Sequence, residues 1–278
     1  MSETTILSSA GVPKKPLVSI GMPVYNGAKF IREALDSLLA QTFTDFELII
    51  SDNASTDETE AICREYAAKD ARIRYIRQPE NRGALANFQF VLDEAVGEYF
   101  MWAAADDRRH PSALERMIEV FEQNPNAGLV FSNMCTMNLL TGEKVYGRVA
   151  SASPQMKKVY KYLLRLCNGC PSLIYGLHKR SILKCINMEQ YDFFDVYLTH
   201  WYELNSEDYI VPLVLYTAGT YGRRTPYSIT HDWLNPDQYL ERERELLLAK
   251  LGIIQGLFCY FLNWYLIKKN IRALKKTL

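Results

Sequence analysis

The chain has 278 residues, 48% hydrophobic and 23% charged, and its 32 basic and 32 acidic side chains cancel. That length suits one large α/β domain with an appendage. The balance excludes a strongly basic nucleic-acid binder, and no zinc-finger or RNA-recognition signature is present, so no nucleic acid is expected as a partner.

Residues 1–16 are polar, carry Pro and Lys, and read as a disordered leader without the basic-then-apolar order of a signal peptide. Residues 17–23 read as a strand ending at Pro23. Ile31, Ala34, Leu35, Leu38 and Leu39 then recur on one helical face. FELIIS, 46–51, reads as a strand buried on both sides. Ser55-Thr-Asp-Glu58 has the form of a capping box and predicts a helix running to about Asp70. There follow a strand over 73–76, a helix over 84–96, a strand over 98–104, a helix from Pro111 through Phe121, and a strand over 128–134. Pro111 suits a first helical turn. This alternation predicts an α/β, Rossmann-like domain: a mainly parallel central sheet with helices on both faces.

The second half is less regular. Thr141-Gly142 predicts a turn, 157–166 a helix, 172–177 a strand and 179–186 a short helix, and Ser206-Glu-Asp208 opens a further helix ending near Gly219. Residues 251–267 carry no charge over 17 positions, and KKNIRALKK follows with five basic side chains. That run is short for spanning a bilayer. With Tyr260, Trp264 and Tyr265 beside lysines, it suits an interfacial helix on an anionic membrane surface. Packing on the domain, or on a second copy in a homodimer, is the alternative. Cys63, Cys135, Cys167, Cys170, Cys185 and Cys259 read as reduced cytosolic thiols. Cys167 and Cys170 have C-x-x-C spacing, but no second pair completes a zinc site.

In doubly wound sheets ligands bind beyond the carboxyl ends of the strands. Three such ends carry unusual polar sequences: PVYNG, SDNAST and AADDRRHP. Adjacent carboxylates at Asp106 and Asp107 are costly unless a cation or a proton relieves them. Hard ions such as Mg²⁺ or Mn²⁺ use one or two carboxylates together with phosphate oxygens. Solvation, or neutralisation by Arg108 and Arg109, is the alternative. Asp52 closes an apolar strand, where an acid accepts from a base N–H or a sugar hydroxyl, or caps a turn. Tyr25 offers a ring for a base to stack on, and Arg82 a guanidinium for a base or phosphate.

Pro23-Val-Tyr-Asn26, Glu47-Leu-Ile-Ile50, Ser51-Asp-Asn-Ala-Ser-Thr-Asp57, Asn81-Arg-Gly83 and Gly97-Glu-Tyr99 stand in this order ahead of Asp106-Asp107. Through them the first 130 or so positions resemble a family 2 glycosyltransferase of GT-A fold. The second half matches loosely, at Tyr175-Gly-Leu-His-Lys179, Glu207-Asp208 and His231. The resemblance implies an inverting, nucleotide-sugar-dependent, metal-dependent enzyme, with a nucleotide-sugar-binding half over 17–135, an acceptor-binding half over 136–235 and a helical tail over 236–278. It implies that Pro23, Tyr25, Asn26, Asp52, Asn53 and Arg82 hold the donor nucleotide. Asp106 would touch the ribose or the metal shell, Asp107 would bind Mg²⁺ or Mn²⁺ directly, and His231 would be a second metal or phosphate contact. Asp208 would be the general base, with Glu207 and Asp195 as competitors. The donor would be UDP-, GDP- or dTDP-linked, and the acceptor a hydroxyl of a glycan or lipid-linked glycan, at the cytosolic face of the membrane. One departure is Ala105, where the family often places an acid. The alternatives are a nucleotidyltransferase, which the single glycine of PVYNGAKF disfavours, and a non-catalytic sugar-nucleotide or membrane-binding module.

Overall fold

Alternation of side chains on the strands divides the apolar residues between two cores. Ile20, Met22, Leu48, Ile50 and Met101 point to one face of the sheet, and Ile49, Phe100, Trp102, Leu129 and Phe131 to the other. The computed structural model describes residues 15–147, 173–186, 198, 201–202 and 206–220. The elements in chain order are β1 (Val18–Val24), α1 (Ile31–Leu39), β2 (Phe46–Asp52), α2 (Thr59–Lys69), β3 (Ile73–Arg77), α3 (Ala84–Asp93) and β4 (Tyr99–Trp102). Then come β5 (Arg108–Arg109), α4 (Ala113–Gln123), β6 (Ala127–Asn138), β7 (Lys144–Gly147), β8 (Leu177–Lys179), α5 (Arg180–Leu183) and β9 (Glu207–Thr220).

The strand order is β3-β2-β1-β4-β8-β6-β9-β5, with β7 paired to β6. β3, β2, β1 and β4 are parallel, as expected for βαβ crossovers. β8 is antiparallel to both β4 and β6, so the sheet is mixed beyond β4. Helices α1, α2 and α4 supply Leu35, Ile62 and Met117 to one core. α3 and α5 supply Val91 and Leu183 to the other, joined by Leu198 and Tyr202. Helices therefore cover both faces. The α1 face is the expected one: Ile31, Ala34, Leu35 and Leu38 are all buried.

Three local expectations are corrected. The capping box at Ser55 does not form: α2 starts at Thr59, and the Ser55 hydroxyl instead accepts the Asn26 N–H at 2.9 Å. Residues 173–176 precede a strand confined to Leu177–Lys179. The segment opened by Ser206-Glu-Asp208 is strand, not helix. Its Ile210, Val211 and Val214 favour extended backbone. Pro212, which cannot donate to a ladder, falls in a register shift, since Val211 faces Ser132 while Val214 faces Asn133. Among the described residues no helix is long and apolar enough to cross a membrane. The leader through residue 14, the helix expected over 157–166, Cys167, Cys170, Asp195, His231 and the 236–278 tail lie outside the described residues. Cys63, Cys135 and Cys185 are free thiols. Burial pushes the Cys63 thiol up to about 12, which makes it unreactive.

Candidate active site

The turn after β1 is stapled to the loop after β2. Asn26 takes a left-handed conformation, φ +53°, which asparagine tolerates. Its Oδ1 accepts the Thr56 N–H at 2.8 Å, and the Gly27 and Ala28 N–H groups donate to Thr59 Oγ1 at 2.8 Å and Asp57 Oδ2 at 3.0 Å. Burial pushes the Asp57 carboxyl up, but bonds from the Thr59 hydroxyl, Thr59 N–H and Ala28 N–H outweigh it and hold the group below its ordinary value. Pro23 is half-buried in β1, and Tyr25 stands out half-exposed, at 50%.

Asp52, fully buried, closes β2. Its Oδ1 accepts the Ser55 N–H at 2.8 Å, and its Oδ2 accepts the Tyr75 hydroxyl and Arg77 Nη1, each at 2.8 Å. Tyr75 and Arg77 were not singled out in the sequence. A signal existed: they alternate on β3, whose partners in register are Ile50 and Asp52. Asn53 is buried and clamps the Asn81-Arg-Gly83 loop. Its Nδ2 donates to Asn81 Oδ1 at 2.8 Å and the Gly83 carbonyl at 3.1 Å, while its Oδ1 accepts the Arg82 N–H at 2.9 Å. The Arg82 side chain is left exposed.

The third wall is the turn after β4. Asp106 is half-buried, whereas Asp107 is only 8% exposed. Asp107 Oδ1 accepts the Gly219 N–H at 2.9 Å, and its Oδ2 accepts the Tyr216 hydroxyl. Burial, reinforced by the Asp106 charge, raises the Asp107 carboxyl to about 6 against those two bonds. The neighbouring arginines do not act together on the acidic pair. Arg108 pairs with Glu33 on α1. Arg109 is buried, donates to the Tyr175 carbonyl at 2.7 Å, and lies over the Tyr216 ring with its guanidinium 4.3 Å from the centroid. No local signal in the sequence pointed to Tyr216 or Gly219.

The remaining expected residues are placed as follows. Ser19, Phe100, His178, Leu129 and Asp208 form one row across β1, β4, β8, β6 and β9. Val24, where the turn carrying Tyr25 starts, is five residues further along β1, roughly 16 Å in the strand direction. Asp208, 3% exposed, therefore sits at the far end of the sheet from Tyr25, Asp52 and Asp106, which runs against a general-base role. The physical reason is the strand: a helix starting at Ser206 was expected to present Asp208 at its N-terminus, and β9 instead carries it inward beside β6. Burial of Asp107 likewise runs against direct metal ligation by that residue. Among the described residues no three His, Cys, Asp or Glu side chains gather as a metal cage. What the turn offers a divalent ion is the half-exposed Asp106, enough where diphosphate oxygens and water complete the shell.

The sequence profile described as Glycosyl transferase family 2 matches residues 19–166, more than half of the chain. An uncharacterized glycosyltransferase of Rickettsia prowazekii is 33% identical over 191 residues, covering 68% of this chain and 57% of that protein. The chain spans 57% of that relative and 35% of the one from Rickettsia typhi. Among solved structures, S. aureus TarS in complex with UDP is 19% identical with a TM-score of 0.62, covering 83% of this chain and 64% of the other. The mannosyltransferase PcManGT from Pyrobaculum calidifontis, in complex with GDP-Man and Mn²⁺, is 18% identical with a TM-score of 0.57, covering 95% and 75%. These likenesses show the fold as GT-A type, and the chain belongs to glycosyl transferase family 2.

Proposed function

We propose that this chain transfers a sugar from a nucleoside-diphosphate donor to a hydroxyl of a glycan or lipid-linked glycan, with inversion at the anomeric carbon. The observation that carries the reading is the division of labour at three parallel strand ends. Asn26, Asn53 and Asp57 are engaged in stapling loops, while Tyr25, Arg82 and Asp106 keep exposed surface toward the same rim. Tyr25 would stack on the base and Arg82 would approach the base or phosphate, while the buried Asp52 would hold the loop after β2 that floors the base site.

Mg²⁺ or Mn²⁺ would be held by Asp106 together with the diphosphate, and the ion would neutralise charge on the departing nucleoside diphosphate. The acceptor hydroxyl needs a base on the face opposite the leaving group. Asp208 lies at the far end of the sheet, and Glu207 adjoins it and accepts from Tyr209 at 3.0 Å. We therefore assign the base to Asp195, the remaining candidate of the three, which lies outside the described residues. His231 would be a second metal or phosphate contact, and the 251–278 segment an attachment to anionic membrane at the cytosolic face.

The test is a thermal-shift screen of UDP, GDP and dTDP with and without Mn²⁺, followed by donor turnover. One diphosphate should raise the midpoint by several degrees, more with Mn²⁺, and Asp106→Asn should lose the Mn²⁺ increment. No shift with any of the three sinks the reading.

A further inference from the structure

The turn that carries Asp106 is short and has almost no structure of its own. Its only regular element is β5, two residues long, whose Arg108 and Arg109 face Thr217 and Tyr216 of β9. So short a ladder holds a turn weakly. Arg108 and the Arg109 N–H tie its far end to Glu33 and Ser37 of α1, and the bonds nearest Asp106 run to β9. Asp107 accepts from the Tyr216 hydroxyl and the Gly219 N–H, charge-assisted bonds of the stronger kind. The His110 N–H donates to the Leu215 carbonyl at 3.0 Å. Arg109 lies over the Tyr216 ring, and the centroid of the Tyr175 ring is 5.4 Å from that of Tyr216. Gly219 completes the seat: a Cβ there would stand 2.3 Å from the Asp106 carbonyl oxygen, so only glycine lets the turn lie this close.

We propose that Asp107 is a positioning residue: its carboxylate hooks the Ala104–Arg109 turn onto β9 and thereby sets where Asp106 meets the donor. The inference rests on the donor site assigned above. Of two adjacent acids, one faces the ligand and the other holds the first in place. The hook also ties the donor wall to β9, which belongs to the 136–235 half of the chain. An error of about 1 Å at Asp106 is enough to cost on the order of 100-fold in turnover.

The experiment compares Asp107→Ala, Asp107→Asn, Tyr216→Phe and Asp106→Asn. It reads the affinity for the nucleoside diphosphate with and without Mn²⁺, kcat and KM for transfer, and unfolding midpoints. Asparagine keeps both contacts, its Oδ1 accepting from Gly219 and its amide donating to the Tyr216 oxygen. The hook predicts that Asp107→Ala loses on the order of 100-fold in kcat, Tyr216→Phe on the order of tenfold, and that Asp107→Asn recovers most of the loss while Mn²⁺ still tightens nucleotide binding. Tyr216→Phe keeps the ring under Arg109, so it remains informative if Asp107→Ala fails to fold. The idea is overturned if Asp107→Asn abolishes the Mn²⁺ effect as fully as Asp106→Asn while Tyr216→Phe behaves as the parent. That outcome makes Asp107 a direct ligand and leaves the glycosyl-transfer reading intact. A parent protein that binds no nucleoside diphosphate under either condition overturns both.

Discussion

Arg77 Nη1 stands 2.8 Å from Asp52 Oδ2, joining the ends of two parallel strands across a carboxylate that is wholly buried. Arg77 is itself about one-third exposed and also donates to the Ser55 carbonyl at 3.0 Å. It thus covers Asp52 from the solvent side.

Removing the guanidinium leaves Asp52 a buried charge served only by Tyr75 and Ser55. Arg77→Met, which keeps the aliphatic stem, should lower the stability of the protein, by less than a fully buried pair would because Arg77 is solvated. Urea unfolding measures it. Adding Asp52→Asn should recover part of the loss, since the orphaned charge is gone; strictly additive losses would show that the pair is not coupled.

His178 lies in the middle of the sheet with its proton placement dictated by its partners. The Ile174 carbonyl, 3.0 Å from Nε2, can only accept, so Nε2 carries the hydrogen and the Tyr202 hydroxyl donates to Nδ1 at 2.9 Å. Burial lowers its pKa from 6.5 to about 4. The unfolded chain therefore binds the extra proton first. The contribution of His178 is complete above pH 6.5 and falls by about 1.4 kcal/mol per pH unit as pH drops from 6.5 to 4. Asp107, raised by burial, contributes with the opposite slope, so the total profile is a sum. The difference in unfolding free energy between the parent and His178→Gln isolates the histidine and should shrink with acidification over that window. A difference independent of pH would refute the buried neutral state.

The general base can be located by paired variants. Asp195→Asn should bind the nucleoside diphosphate with parental affinity and lose about 100- to 10,000-fold in kcat, the usual worth of a positioned base. Asp208→Asn should keep parental kcat. The reverse pattern, measured by steady-state transfer, would return the base to Asp208 and require β9 to start differently in the working enzyme.

Clamping by Asn53 gives a prediction about loop order. Asn53→Ala removes the three bonds to residues 81–83, so amide exchange there should rise, and nucleotide affinity should fall by about tenfold with little change at β4. Equal protection in parent and variant would show that the loop holds itself.

The C-terminal segment is testable without a structure. Full-length protein should sediment with vesicles containing anionic lipid, and removal of residues 251–278 should abolish it, while salt weakens it. Binding that persists in the truncated chain would place the membrane contact elsewhere, and a concentration-dependent dimer lost on truncation would favour the second copy instead.

Much of this was legible in the residues, and the limits are specific. Ile31, Ala34, Leu35 and Leu38 announce the buried face of α1 because helical spacing is a local property. The apolar runs announce β1, β2 and β4, and their polar ends announce the loops that leave the same edge of the sheet. Ser206-Glu-Asp208 carries the marks of a helix start, yet β-branched residues after it and the open edge of β6 draw it into a strand. Capping signals at Ser55 were overridden in the same way, because the turn after β1 takes the serine hydroxyl first.

What the residue order determined alone is the succession of strands and helices and the three polar loops, since periodicity and turn chemistry act within a few residues. Only the tertiary structure decided which of two adjacent acids is buried. The partners that hold Asp107 inward, Tyr216 and Gly219, lie more than a hundred residues away in the chain.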